Sequence, residues 1–377
     1  MSLKFLGSEN PTIGVELEIQ IIDPATLNLT PKAKLFLEKS SPEDLHRIKT
    51  ELYQSMLETD TEVAKTVSEC RKFLQSRMGR LQKTANELNL KLAISGTHPF
   101  QQWTNLLITP SDHYEKLHHK YQWLIRRNNI YGLHVHIGVK SGDLALAISN
   151  SLVQYLPHLL ALSANSPFWQ GTDTGMQSCR TNIIDSFLFS GTPHFFHSWA
   201  EFEHYYKTLH DLEAINSVKD IYWHIRPNIQ FGTLEFRICD AMSNLDEIMA
   251  VVALIQCLVA FTSDHIENNP NTRLWNKEFQ WIAPKNQWDA ARDGLEALIV
   301  RPDGQKQKIA TTLLQLVQQL TPTAKKLDCL KELEYVRHIV SNGNNAQRQR
   351  ELFQETRSLQ LLVNSSIKDF ETIAKQP

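Results

Sequence analysis

Alternation of apolar and polar side chains marks four short segments of this 377-residue chain. They are residues 12–22, 51–59, 132–139 and 233–240, and in the first of them Val15 and Leu17 alternate with Glu16 and Glu18. Successive side chains of a β-strand point to opposite faces, so each segment predicts a strand with one apolar and one polar face. Such strands are expected to form a sheet that buries one face in a core and leaves the other available to a ligand.

The polar faces carry residue types that bind metal ions and phosphate. Glu16 and Glu18 would lie about 7 Å apart on one face, and two carboxylates that close resist joint ionisation unless a cation lies between them. Later segments repeat this device with four residues: His134, His136, Glu235 and Arg237. Each pair alone could be an exposed polar face or a surface ion pair. Their coincidence in three segments that are far apart in the sequence favours a metal and phosphate site.

Three further candidates are less regular. Glu51 and Glu58 are seven residues apart, so a regular strand would place them on opposite faces. Both reach one site only with a bulge or if one of them lies at the strand end, and Glu58 is the stronger candidate. Arg226, in the segment WHIRPN, can fork two phosphate oxygens, as can Arg237. Glutamate and neutral histidine beside arginine suit Mg²⁺ or Mn²⁺ bound next to phosphate oxygens.

Composition narrows the function classes. The formal net charge of −2 argues against nucleic acid as the main partner, since phosphate backbones require a basic excess. The sequence has no P-loop, no dinucleotide-binding glycine motif and no G-x-S-x-G elbow. Its five cysteines form no CxxC pair and are interpreted as free thiols. The N-terminus lacks the apolar region of a signal peptide, and the longest apolar stretch, residues 248–261, is shorter than the ~20 residues of a membrane span. A cytoplasmic protein without membrane contact is expected.

The order of the predicted elements does not alternate between strand and helix. Strands are predicted at residues 12–22, 51–59, 91–97, 132–139, 221–226 and 230–240, and a long loop at 167–193. Helices are predicted at residues 67–88, 111–128, 143–163, 201–215, 245–265, 289–299, 305–320, 324–340 and 347–374. This order predicts an α+β fold with a mainly antiparallel sheet, helices packed on its apolar face, and a helical C-terminal part with a packing role. Without a linker or repeat, residues 1–377 are expected to form a single domain.

Five stretches together resemble the carboxylate–amine ligase family, the bacterial type-2 glutamate–cysteine ligase-like group. They are GVELE (14–18), ELYQSMLE (51–58), LHVHIG (133–138), SANSPFWQGTDTGMQSCR (163–180) and RPN with GTLEFRICDA (226–241). The resemblance covers residues 12–375, and the stretch 163–180 is long and specific. It implies the glutamine synthetase-type fold, a curved antiparallel sheet whose concave face holds ATP and two or three Mg²⁺. Tyr131 stands where many members have a small residue or cysteine, so the resemblance does not define the pocket for the acceptor amine.

The resemblance also implies a role for each candidate. One metal on the amino-acid side would be held by Glu18, Glu58 and, less securely, Glu51. A second metal, bridging the ATP phosphates, would be held by Glu16, His134 and Glu235. The phosphate contacts, which include the two catalytic arginines, would be His136, Arg226 and Arg237, and Arg180 would contact a substrate carboxylate or phosphate. A homodimer is also expected on this ground.

The implied reaction joins a carboxylate to an amine with ATP. Glutamate is the default carboxylate and cysteine the family's amine, but no residue identifies a thiol pocket, so both substrates stay open. Two alternatives also remain. An H-x-H motif also supplies metal ligands in many zinc hydrolases. Zinc sites, however, favour histidine and cysteine over the glutamate and arginine found here. A non-catalytic relative that only binds nucleotide would retain the same residues and would be separated from a ligase by ATP turnover.

Overall fold

The longest strand of the sheet occupies its centre in this computed structural model, which describes residues 3–269 and 279–375. The strands are β1 (Ile13–Ile22), β2 (Ile48–Thr50), β3 (Met56–Asp60), β4 (Lys91–Ala93), β5 (Gly132–Gly138), β6 (Phe168–Trp169), β7 (Thr172–Asp173), β8 (Ser190–Gly191), β9 (Tyr222–Trp223), β10 (Ile225–Asn228), β11 (Thr233–Asp240), β12 (Leu298–Val300) and β13 (Lys306–Lys308). Seven of them form the main sheet, in the order β10-β11-β5-β1-β3-β2, with β4 also paired to β1. All pairings within this sheet are antiparallel.

Helices account for most of the remaining chain. They are α1 (Ala33–Lys39), α2 (Val67–Glu87), α3 (Asp112–Tyr121), α4 (Gly142–Leu152), α5 (Leu156–Ser163), α6 (Cys179–Ile184), α7 (Trp199–Asp211), α8 (Leu245–Asn268), α9 (Phe279–Asp293), α10 (Ile309–Lys326), α11 (Leu330–Asn342), α12 (Asn345–Thr356) and α13 (Leu359–Lys375). Single 3₁₀ turns occur at Trp103–Asn105, Ile125–Arg127, Val153–Tyr155, Val218–Asp220 and Gly294–Glu296.

The apolar face of the sheet forms the main core. Val15, Leu17 and Ile19 of β1 are at most 1% exposed, and α2, α4, α5 and α8 pack against the strands. Two helical stretches, Gly142–Ser163 and Leu245–Asn268, are long and apolar enough to cross a membrane, but 78% and 83% of their most apolar windows are buried inside the protein. This burial is typical of core helices, because their apolar surface is already covered by the protein itself.

Strand register places the polar residues in neighbouring cross-strand rows on one face of the sheet. Glu18 lies opposite Glu58, and Glu16 lies opposite His134. Glu235 of β11 lies opposite His136 of β5 on one side and Arg226 of β10 on the other. A register shift between Phe236 and Cys239 marks a bulge in β11. A bulge redirects side chains locally, and this one occurs at Arg237.

Several predicted boundaries were wrong. The helix predicted at 289–299 is instead the end of α9 followed by β12, and the helix predicted at 347–374 is two helices separated at Arg357, whose φ is +55°. The predicted loop at 167–193 contains α6 and three two-residue strands. The helix predicted at 143–163 is instead α4 and α5 with a 3₁₀ turn between them, and Pro157 lies in the first turn of α5, where proline is tolerated because its missing N–H would have no helical partner.

Candidate active site

A cavity of about 900 Å³ opens on the polar face of the sheet. Nine of the ten residues predicted from sequence line it: Glu16, Glu18, Glu51, Glu58, His134, Arg180, Arg226, Glu235 and Arg237. The tenth, His136, is buried beneath its floor and contacts Glu16. Residues separated by more than two hundred positions in the sequence therefore converge on one cavity.

Glu16 is shared by two groups of potential metal ligands. One group consists of Glu16, His136 and Glu235, and the other of Glu16, Glu58 and His134, each with ligand atoms within 4.8 Å of one another. Nδ1 of His134 lies 3.2 Å from Oε2 of Glu16, and Nε2 of His136 lies 3.5 Å from Oε1. The two oxygens of one carboxylate thus face two separate histidines, as a carboxylate that bridges two cations would.

These groups differ from the sets that the family resemblance implies. That resemblance joins Glu16 and Glu235 with His134, whereas the structure groups His136 with this pair. His134 instead joins Glu58. The two histidines lie two residues apart on the same face of β5, so each group of ligands includes one of them.

The donor chemistry of these groups fits a hard divalent cation. Carboxylate oxygens are the ligands that Mg²⁺ and Mn²⁺ prefer, and neither group contains a sulfur ligand. Nδ1 of His136 lies 3.0 Å from the Thr233 hydroxyl, which fixes the ring orientation. Its buried Nε2 makes no hydrogen bond to any residue that the structure describes. A ring held by one nitrogen, with the other directed toward carboxylates, is a common arrangement for a metal ligand.

Glu235 is the anionic partner of two arginines. Its side chain is 1% exposed, and Arg226 contacts both of its oxygens, with Nη2 3.0 Å from Oε1 and 2.9 Å from Oε2. Arg237 also donates to Oε1, and Asn228 donates to Oε2 at 3.3 Å. Burial would raise the pKa of Glu235, but the two guanidinium groups hold it well below the ordinary value. Glu235 is therefore a buried, ionised carboxylate and not a surface ion pair.

The charge of Glu16 is set by the two histidines. Burial would raise the pKa of this carboxyl, but the imidazoles of His134 and His136 hold it well below 4.5. Burial and the nearby Arg237 lower the pKa of His134, so this ring is neutral and available as a ligand. Burial would lower the pKa of His136, but the negative charges of Glu235 and Glu16 together raise it above the ordinary value.

The guanidinium of Arg180 packs against Gly132, the first residue of β5. It donates to the carbonyl oxygens of Ile238 at 3.3 Å and Arg237 at 3.2 Å, and its buried Nε has no hydrogen-bond partner among the described residues. A Cβ added to Gly132 would lie 2.3 Å from Nη2 of Arg180, so glycine is required there for this close approach. The N–H of Gly132 in turn donates to the Glu18 carboxylate.

Glu51 and Glu58 reach the same cavity because Glu51 lies outside the strand. β3 begins only at Met56, and the turn before it brings Glu51 back toward the polar face. Burial and the other carboxylates raise the pKa of Glu51 well above 4.5 and that of Glu58 to about 7. Burial also raises the pKa of Glu18. In the absence of metal, the carboxyl groups at this end of the cavity hold protons that a bound cation would displace.

Several contacts of the site were missed from the sequence. Lys49 of β2 donates to Glu58 at 3.0 Å and lies 3.0 Å from Asp60, and the Tyr114 hydroxyl donates to Glu51 at 3.1 Å. A lone lysine in a three-residue edge strand has the pattern of a solvated residue, and a tyrosine on a helix has the pattern of core. The asparagine of WHIRPN, Asn228, could have been found, because it shares a strand face with Arg226 at a spacing of two.

Known sequences match the part of the chain that contains these site residues. The family model described as glutamate–cysteine ligase family 2 matches residues 12–365. A protein of Gloeobacter violaceus named "Putative glutamate–cysteine ligase 2" is 39% identical over 366 residues, which cover 96% of this chain and 98% of that protein. A protein of the same name from Solibacter usitatus is 36% identical and covers 98% and 96%.

Solved structures share the fold at low sequence identity. The glutamate–cysteine ligase of Francisella tularensis, solved in complex with AMP, has a TM-score of 0.72 at 12% identity and covers 99% of this chain and 90% of that one. The ligase PafA, solved in complex with the ubiquitin-like protein Pup, has a TM-score of 0.54 at 13% identity, with coverage of 95% and 72%. These similarities confirm the predicted α+β fold of the glutamine synthetase-like ligases. The family match over residues 12–365 and the relatives at 39% and 36% identity establish that the chain is a member of the glutamate–cysteine ligase family 2.

Proposed function

We propose that this protein is an ATP-dependent ligase that joins a carboxylate to an amine through an acyl phosphate. The observation that carries the proposal is the pair of ligand groups sharing Glu16, beside the two arginines that hold Glu235. The groups offer carboxylate and imidazole ligands to cations, and the arginines offer guanidinium groups to phosphate. The cavity floor therefore matches a nucleoside triphosphate with its metal ions.

The reaction requires no nucleophile from the protein. A carboxylate oxygen of the substrate attacks the γ-phosphorus of ATP, and the bond from phosphorus to the β,γ-bridging oxygen breaks to release ADP. The amine then attacks the acyl carbon, loses a proton, and expels inorganic phosphate, which leaves an amide. Both steps move negative charge along the phosphate oxygens, so positioning and fixed positive charge provide the catalysis.

The described side chains divide this work by location. Arg226 and Arg237 lie at the β10–β11 end, where their guanidinium groups would neutralise charge on the transferring phosphoryl group. Mg²⁺ or Mn²⁺ held by Glu16, His134, His136, Glu58 and Glu235 would supply further positive charge to the phosphate oxygens when bound.

The opposite end of the cavity would receive the amino-acid substrates. Glu18 and Glu51 lie there with Glu58. Arg180 also lines the cavity, and its buried Nε has no hydrogen-bond partner among the described residues. Arg180 is accordingly our candidate for binding the carboxylate of the substrate that becomes phosphorylated. By analogy with relatives named glutamate–cysteine ligase, glutamate is the proposed carboxylate and cysteine the reference amine.

The wider setting of the protein is proposed on the same basis. Residues 1–377 would act as one catalytic domain in the cytoplasm, with a homodimer as the assembly that the family resemblance favours. Neither ligand group contains cysteine, and family membership lends no support to a zinc hydrolase. The other alternative, a relative that binds nucleotide without catalysis, is distinguished from a ligase by a measurement of ATP turnover.

A screen for ADP release tests the proposal. ATP and Mg²⁺ would be offered with amino acids singly and in pairs, and products would be identified by mass. ADP and phosphate are expected to form in step with an amide, and calorimetry should detect ATP binding in Mg²⁺ or Mn²⁺ and much weaker binding in EDTA. Equal ATP affinity in EDTA would contradict the metal site, and absence of ADP release with every pair would contradict the ligase.

A further inference from the structure

The cavity end beside Glu51 has an apolar wall that a small acceptor such as cysteine would not fill. Leu52 follows Glu51 directly, and Met56 begins β3, so both accompany the carboxylates into the cavity. The wall comprises Leu52, Met56, Leu117, Ile125, Ile130 and Ile184. Leu52, Met56, Ile125 and Ile130 are at most 6% exposed, so the wall is built into the core and not a loose surface loop.

Independent elements bring this wall to the reacting end of the site. Leu117 lies one helical turn after Tyr114, whose hydroxyl contacts Glu51, and Ile184 lies one turn after Arg180 on α6. Phe187 lines the same cavity and packs edge-on against Tyr121, with ring centroids 5.0 Å apart. Three separate elements therefore enclose one apolar chamber next to the carboxylate cluster.

Positive charge at this end is limited. Lys49 is engaged by Glu58 and Asp60, each at 3.0 Å. Lys219 lines the cavity near the β10 end, where its carbonyl oxygen accepts from Arg226, and Lys4 lies two residues before Leu6, whose N–H donates to the carbonyl oxygen of Ile229 just after β10. Among the lining residues that the structure describes, Arg180 is thus the cation that can meet a substrate carboxylate at the Glu51 end. One guanidinium matches one carboxylate, and a second would face Glu18 and Glu51.

We propose that the acceptor is a primary amine with an aliphatic or aromatic body larger than the cysteine side chain and with no carboxylate of its own. This inference rests on the proposed ligase function. Arg180 then binds the donor's carboxylate, the amine points toward the carboxylate cluster, and the apolar body fills the chamber. A methylene placed in an apolar pocket changes kcat/KM by about 10–200-fold, so chamber occupancy is measurable.

Three matched amines test the proposal in the full-length protein with ATP, Mg²⁺ and glutamate. Isoamylamine and ethylamine differ in apolar size at similar basicity, and leucine is isoamylamine with a carboxylate added. We expect kcat/KM for isoamylamine to exceed the values for ethylamine, leucine and cysteine by at least about tenfold. If cysteine or leucine is used as well as isoamylamine, or if ethylamine equals it, the proposal is overturned.

Hydroxylamine separates this inference from the proposed function. It traps an acyl phosphate as a hydroxamate without occupying an apolar chamber. Hydroxamate formation without preference for isoamylamine overturns the acceptor assignment and leaves the ligase standing. If glutamate gives no hydroxamate, other carboxylates are screened first, and absence of hydroxamate from all of them overturns both.

Variants of the wall provide the structural link. Leu117→Gln and Ile184→Gln introduce a polar group from two different elements, and each is expected to reduce the isoamylamine-to-ethylamine ratio of kcat/KM at least about tenfold. Leu361→Gln on α13, where the native side chain is 43% exposed and lies outside the cavity, is the control and should keep the wild-type ratio. An unchanged ratio in both wall variants contradicts the proposal.

Discussion

Arg226 holds both oxygens of Glu235 from the neighbouring strand, with Nη2 2.9 Å from Oε2 and 3.0 Å from Oε1. Strand register produces this pair, because Arg226 and Glu235 are direct partners across β10 and β11. The ion pair is buried, and Arg237 shares its carboxylate. The same three side chains that would bind metal and phosphate therefore also stabilise this edge of the sheet.

Glu235→Gln should abolish turnover and also destabilise the protein. The amide removes a proposed metal ligand and leaves the buried guanidinium of Arg226 and the partly buried guanidinium of Arg237 without their anionic partner. Breaking a buried pair from one side costs about 3–5 kcal/mol, so the free energy of unfolding should fall by that order. Turnover and urea denaturation measure the two effects.

Glu296→Gln is the matched control for this substitution. Glu296 pairs with Lys308 at 2.7 Å, but both side chains are more than half exposed. An exposed pair contributes only about 0–1 kcal/mol, so stability and activity should stay close to wild type. Near-normal turnover in Glu235→Gln would remove the central ligand from the proposed site.

Arg237→Lys should lower kcat by about 10²-fold with a smaller change in folding stability. Lysine retains the charge and the contact to Glu235 but loses the planar fork that can bind two phosphate oxygens. Single-turnover measurement of ADP formation at saturating ATP isolates this chemical step. Wild-type rates in Arg237→Lys would indicate that the guanidinium serves only the buried ion pair.

Gly132→Ala should reduce activity at least about tenfold, because the new methyl group would displace Arg180. The added Cβ would lie 2.3 Å from Nη2 of Arg180 and 2.9 Å from Nε2 of His134. A misplacement near 1 Å can cost about 10²-fold in rate. A Cβ added to Gly14 on the adjacent strand would lie at an ordinary contact distance of 3.5 Å from the Cβ of His136, so Gly14→Ala should retain activity. Equal kcat/KM in the two variants would contradict the positioning role of Arg180.

In the absence of metal, the ionisation of Glu58 should make the stability of the folded protein depend on pH. Burial and the neighbouring Glu16 raise its pKa from 4.5 to about 7 in the folded protein. Between these pH values the folded protein retains a proton that the unfolded chain releases, so stability falls as pH rises. The shift corresponds to at most about 3 kcal/mol, and bound Mg²⁺ should reverse the loss above pH 7.

Comparison with Glu58→Gln isolates this carboxyl together with its electrostatic coupling to Glu51. Burial lowers the pKa of His98 and His158 to about 4, which makes the folded state gain stability as pH rises over part of the same range. The wild type minus Glu58→Gln difference, measured by urea denaturation in EDTA at about pH 5 and about pH 8, cancels those histidines. A difference that stays constant with pH, or that ignores Mg²⁺, would contradict the assignment of Glu58.

The strands that build the site were predictable because their pattern is local. β1, β5 and β11 alternate with period two. The predicted limits of β1 and β5 agree with the structure to within one residue, and β11 begins three residues after the predicted start at 230. Glu51 was harder, since the turn that returns it to the cavity depends on pairing between β3 and its neighbours. The energetic setting was also hidden. Glu235 looks like half of an exposed ion pair, and its burial depends on β10, which lies outside its own strand.

The helical part showed the limits of periodicity. The pattern at residues 347–374 suits one helix, but Arg357 adopts a left-handed conformation that ends α12. Lys49 and Tyr114 join the site through tertiary contacts with Glu58 and Glu51 that no spacing records. Local alternation therefore identified the cavity floor, while its walls required the folded chain.

Transfer of oxygen isotope tests the acyl phosphate most directly. Glutamate labelled with ¹⁸O in its side-chain carboxylate would be turned over with ATP, Mg²⁺ and an accepted amine, and the phosphate would be analysed by mass spectrometry. The account predicts one ¹⁸O atom in each phosphate released, because the attacking carboxylate oxygen leaves with phosphorus. Amide formation accompanied by unlabelled phosphate would contradict it.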